Sequence, residues 1–225
     1  MEDDAWAIEA SSLNGTARAL SLLLFQIKNL ARISVSKVKV ACFVLLLIGL
    51  VSVMGYSQET TSEYVSPSEA GPRGKAPKMQ VQLLNPGDAT KQYAVIFYQG
   101  DEAFSGLLEF AEKYHVTSAH FTAIGAVSRA TVAWFDPQRK VYKKIPVVGQ
   151  HEVIGMSGDI ALYQGKPVVH THMIAGNPDG TTVGGHVLEA YVSPTLEVMV
   201  TVDPKAMQKR LDPETDLTLI DPAAK

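Results

Sequence analysis

The pattern of apolar and polar positions divides the chain into four stretches. From Val40 to Met54 the residues read VACFVLLLIGLVSVM, and no charge appears until Glu59. A helix crossing a bilayer core takes roughly 20 apolar residues, and the core of a secretory signal about 7–15. The run therefore predicts a signal peptide or signal-anchor helix over residues 37–57. Lys37 and Lys39 precede it and Glu59 and Glu63 follow, which orients the N-terminus to the cytoplasm and the remainder outward. Gly55-Tyr56-Ser57 before Gln58 has the small residues of a cleavage site. If uncleaved, residues 40–57 anchor the chain in the membrane. Residues 1–36 form an N-terminal extension. Leu20, Leu23, Leu24 and Leu30 have helix-like spacing there, in a segment too short to span a bilayer. A start near Val35 or Val38 would remove the extension and leave a compact signal sequence.

Residues 58–78 (QETTSEYVSPSEAGPRGKAPK from Gln58) lack an apolar period and read as a flexible linker. From Met79 the pattern becomes that of a folded domain, residues 79–204. Gln80–Leu84 and Tyr93–Tyr98 read as strands. Asp101 is placed to cap a helix with one apolar stripe at Phe104, Leu107, Leu108, Ala111 and Tyr114. Further strands are expected at Ser118–Ile124, Ala130–Phe135, Lys140–Val148, Glu152–Tyr163, Val168–Ile174, His186–Val192 and Leu196–Val202. Asp136-Pro137 and Asn177-Pro178-Asp179-Gly180 mark turns. One main helix among many strands predicts a compact α+β domain with a mostly antiparallel sheet. Residues 205–225 read as a C-terminal tail.

Composition narrows the chemistry. The chain of 225 residues carries 20 basic and 23 acidic groups, a formal charge of -3. Five of the basic groups (Arg18, Lys28, Arg32, Lys37, Lys39) and four of the acidic ones (Glu2, Asp3, Asp4, Glu9) precede Gln58, so the remainder carries -4. Bulk electrostatics do not favour nucleic acid or an anionic membrane surface. The one cysteine, Cys42, lies in the apolar run as a small hydrophobe. An intrachain disulfide framework and a Cys-rich zinc ribbon are excluded.

The candidate chemistry is a histidine cluster, His170, His172 and His186, in VVHTHMIAGNPDGTTVGGHVLEA. On a strand, positions i and i+2 share a face, so His170 and His172 can chelate one metal. His186 follows the turn and completes a three-His set if the two strands are neighbours. Three neutral nitrogens around a divalent metal, zinc above others, leave a fourth position for water or substrate. Gly184 and Gly185 permit unusual φ values and close approach of a ligand to the backbone. His115 suits the end of the helix as a cation. His120 and His151 have no partner at ligand spacing. Glu189, three residues from His186, faces the other way on a regular strand, and Asp159 and Glu152 read as surface groups. Arg139, Lys140, Lys143 and Lys144 form a basic patch around a turn, read as a solvated hairpin. No nucleophile elbow, phosphate loop or dinucleotide fingerprint is present.

The segment from Gln92 to Thr201 resembles the plants and prokaryotes conserved (PPC) domain. The residues that carry the resemblance are Ala123-Ile124-Gly125-Ala126-Val127, Trp134-Phe135-Asp136-Pro137, the pair His170 and His172, Gly184-Gly185-His186-Val187-Leu188-Glu189-Ala190, and Ser193-Pro194-Thr195-Leu196-Glu197-Val198. The resemblance implies a compact α+β fold and a homotrimer. It also implies either DNA binding or a protein-interaction role. The fold is similar to that of acetolactate decarboxylase, whose three-His metal centre supports His170, His172 and His186 as ligands without transferring a reaction. Pro72-Arg73-Gly74-Lys75 matches only part of an AT-hook core, with Lys75 and Ala76 where Arg and Pro are expected. Two readings follow. One is an exported or membrane-tethered metal-binding domain, with chemistry on a small organic substrate. The other is a DNA-binding or protein-interaction module. An exported domain would not meet chromosomal DNA.

Overall fold

The computed structural model describes residues 63–224. In chain order its strands and helix are β1 (Tyr64–Val65), β2 (Gln80–Leu83), β3 (Lys91–Tyr98), α1 (Ala103–Lys113), β4 (Ser118–Asp136), β5 (Val141–Tyr163), β6 (Lys166–Gly176), β7 (Thr182–Val202), β8 (Lys209–Leu211) and β9 (Thr218–Ile220). Every ladder between these strands is antiparallel. The α+β class with one helix is the one that the apolar pattern predicts. Among the described residues no helix is long and apolar enough to cross a membrane. The expected signal or anchor helix at 37–57 and the extension at 1–36 lie outside the described residues.

The main sheet runs β1-β5-β4-β7-β3-β2, and β6 pairs with both β5 and β7. The pairings of β4, β5, β6 and β7 therefore close into a ring. Strands expected as separate pieces are continuous here: β4, β5 and β7 each join two of them. The breaks in alternation that suggested gaps are register shifts, at Ala123/Gly125 and Val127/Arg129 in β4. A bulge upsets the period of two without ending the ladder.

Helix α1 buries Ala103, Phe104, Leu107, Phe110 and Ala111 in a core shared with Val95, Phe97, Val132, Val187 and Val198. Leu108 is only half-buried, and Tyr114 lies past the last turn, its ring tilted against those of Phe110 and Tyr93. The cap is Glu102 rather than Asp101. The fully buried Glu102 carboxylate accepts hydrogen bonds from the backbone N–H of Phe104 at 3.0 Å, Ser105 at 2.7 Å and, across the core, Ala190 at 2.8 Å. Asp101 instead closes the preceding turn, accepting from the N–H groups of Tyr98 and Lys78.

Both flanks of the domain are packed, a correction to the linker and tail expected from composition. The backbone from Tyr64 pairs with β5. Ala76 is buried in the core, and Lys75 accepts the N–H of Glu102. At the other end, β8 and β9 form a hairpin, tied to the domain by the Leu162 N–H to the Met207 carbonyl and the Met207 N–H to the Thr117 carbonyl. Backbone hydrogen bonds and one small buried side chain, Ala76, carry these contacts, and an apolar periodicity cannot reveal them. The basic patch is likewise engaged: Lys143 lies 3.4 Å from Glu63, Lys140 lies 3.6 Å from Asp216, and Arg139 sits over the Tyr64 ring.

Candidate metal centre

Strand β6 presents His170 and His172 on one face, and the ladder sets His172 directly opposite His186 of β7. A nitrogen from each of the three rings lies within 4.8 Å of the others. The Nε2 atoms of His170 and His172 are 3.2 Å apart, and the ring centroids are 5.1–5.5 Å apart. All three sequence-expected residues are brought together. His115, His120 and His151 are elsewhere: His120 faces Asp203 at 3.9 Å, and His151 bridges Asn177 and the Gly149 carbonyl, pinning the β6–β7 turn.

Gly184 and Gly185 act differently from the expectation. Neither has a positive φ. A Cβ on Gly185 would meet the Ala133 carbonyl oxygen at 2.5 Å, and one on Gly184 the Met173 carbonyl oxygen at 2.7 Å. The two glycines seat β7 against β4 and β6 and so fix where His186 stands.

Three further residues shape the site. Tyr142 stacks on the His186 ring at 4.6 Å, 8° from parallel. Asp159, expected on the surface, lies opposite His170 in the β5–β6 ladder, and its Oδ2 is 3.3 Å from His170 Nδ1. The Nζ of Lys209, buried on β8, is 2.7 Å from Asp159 Oδ1. Burial raises the Asp159 pKa, but the hydrogen bonds from His170 and Lys209 and the Lys209 charge outweigh it and hold the carboxyl below its ordinary value. Burial, then the His170 charge, lowers His172. His186 is pushed down to about 3, by burial first and then by the His170, His172 and Lys209 charges.

Glu189 also departs from the expectation. The ladder sets Thr131 opposite Glu189 and Ala133 opposite His186, with a register shift between them. Thr131 and Ala133 share a face of β4, so the bulge at Leu188 turns Glu189 to the His186 face. Its carboxylate is held by the Thr131 hydroxyl at 2.8 Å.

The donor set fits a divalent transition metal. The imidazoles of His172 and His186 are held toward the neutral state that a metal requires, and the buried Nδ1 of His186 has no hydrogen-bond partner. Asp159 on the far nitrogen of His170 is the usual outer-shell partner of a ligating histidine.

Among the described residues, one α-helix, an antiparallel sheet and three convergent histidines define an α+β domain with a candidate metal centre. The chain belongs to the Plants and Prokaryotes Conserved (PCC) domain family, whose model matches residues 84–203. A solved structure from Ralstonia eutropha JMP134, named as a candidate DNA-binding protein, is 31% identical, with a TM-score of 0.55, and the match covers 57% of this chain and 90% of that one. A protein from Archaeoglobus fulgidus described as metal-containing is 28% identical, with a TM-score of 0.54, covering 63% and 96%. A plant- and prokaryote-conserved protein from Pyrococcus horikoshii shares the fold at 24% identity, with a TM-score of 0.56, covering 65% and 97%. No curated protein is a significant match.

Proposed function

We propose that the domain is a metal-binding module in which His170, His172 and His186 hold a single divalent ion, zinc by preference, with a coordination position left for a small organic ligand. The observation that carries this reading is the convergence of three imidazole nitrogens within 4.8 Å. The relative from Archaeoglobus fulgidus described as metal-containing supports it. Bound there, zinc would supply Lewis-acid polarisation of a carbonyl or activation of water. His170 is oriented for the role by Asp159, and Tyr142 backs His186. The run Val40–Met54 with Lys37 and Lys39 before it supports an exported or membrane-tethered location. Ile124 and Met199, exposed on one face of the β4–β7 pair, support association with further copies of the chain, as a homotrimer.

Elemental analysis of the full-length chain after zinc loading tests the metal. The expected result is about one zinc per chain, abolished in His170→Ala and His172→Ala with the fold retained. Less than about one tenth of an equivalent defeats the reading. The name of the Ralstonia eutropha relative favours a second reading, DNA binding. Affinity for duplex DNA at physiological ionic strength, falling steeply with added salt, would support it.

A further inference from the structure

A cavity of about 570 Å³ opens beside the histidines, with His170 and His186 in its wall. Much of the remaining wall comes from outside the family segment 84–203. Pro67 and Pro72 enter from the N-terminal flank, Leu217 and Leu219 from the β8–β9 hairpin, and Leu108 and Phe104 from α1. The volume lies within the roughly 300–1,000 Å³ of small-molecule sites. The lining is mostly aliphatic and aromatic, so it selects an apolar body.

The charges select the head group. Three neutral imidazoles leave the charge of a divalent ion uncompensated. Asp159, the carboxylate beside the cluster, is already neutralised by Lys209 at 2.7 Å. Asp216 in the lining is exposed and faces Lys140 at 3.6 Å. No further carboxylate joins the cluster among the described residues, so an anionic ligand would supply charge that the protein does not.

We infer that this chain's flanking segments build a binding pocket for a small carboxylate with an apolar tail, its carboxylate at the three-histidine centre and its tail between α1 and the β8–β9 hairpin. The inference rests on the metal reading above and adds to it the ligand class and the residues that choose it. Lys209 serves both ends of the pocket: it anchors the hairpin wall and cancels the charge of Asp159.

The test is calorimetric titration of the zinc-loaded full-length chain with acetate, butanoate, hexanoate and octanoate, with zinc content measured on every sample. Affinity is expected to rise about three- to four-fold per added methylene until the cavity fills. Leu217→Ala should keep its zinc and its acetate affinity while octanoate binding falls about tenfold. Leu108→Ala, on α1 rather than the hairpin, should do the same, so that local disruption of the hairpin alone cannot account for the loss. A full complement of zinc with no dependence on chain length overturns the pocket and leaves the metal reading standing. Absence of zinc from the unsubstituted chain defeats the metal reading, and this inference with it.

Discussion

Asp159 and His186 show how a strand sequence can carry chemistry that its local pattern conceals. Asp159 occupies Nδ1 of His170, leaving Nε2 directed toward the other rings. Removing its charge in Asp159→Asn should weaken zinc affinity about 10- to 100-fold without unfolding the domain, as measured by competition with a chromophoric chelator. His186 contributes to the acid sensitivity of the metal-free chain. Its folded pKa of about 3 lies below the ordinary 6.5. Between those values the unfolded chain binds a proton that the folded one does not, so stability falls as pH drops through this window. The expected slope is on the order of 1.4 kcal/mol per pH unit. Urea denaturation at a series of pH values reads it, and His186→Asn should flatten it. Asp159 was legible in principle. The turn at Gln164 and Gly165, both with positive φ, is a two-residue hairpin connection, and it sets Tyr163 opposite Lys166 and so Asp159 opposite His170. Placing the strand start at Val168 hid that register.

At the level of elements, the ends of α1 and the flanks of the domain matter most. Glu102 satisfies the helix N-terminus and stitches it to Ala190 of β7. Glu102→Ala leaves these buried donors unpaired and should cost about 3 kcal/mol, seen as a lower urea midpoint with an unchanged slope. The helix itself, most strands and the β6–β7 turn were legible because burial on one face imposes a period on the sequence. The Glu189 orientation was not, because one bulge residue reverses the parity of everything after it. Lys209 was not either: nothing in a short tail announces which of its lysines will be buried against Asp159, far back in the sequence.

For the whole molecule, charge and surface apply opposite pressures. The region after Ser57 carries -4, which disfavours a phosphate backbone, while Ile124, Val148, Ile154, Ile174 and Met199 leave apolar area uncovered on the sheet. Sedimentation equilibrium of the full-length chain should return about three times the chain mass, and Ile124→Asp with Met199→Asp should shift it toward the single chain by burying charge in an apolar contact. A single-chain mass for the unsubstituted protein would remove the trimer.

The closed ring of β4, β5, β6 and β7 has a consequence for time as well as shape. From His172 to Gly176, β6 is hydrogen-bonded on both sides, to β5 and to β7, so this stretch cannot fray from an edge. Its amides exchange with solvent only when the ring itself opens, which places them among the slowest in the domain. The stretch that sets His172 opposite His186 is thus part of the last structure to come apart, and the spacing of those two rings persists through the faster motions of the loops around it.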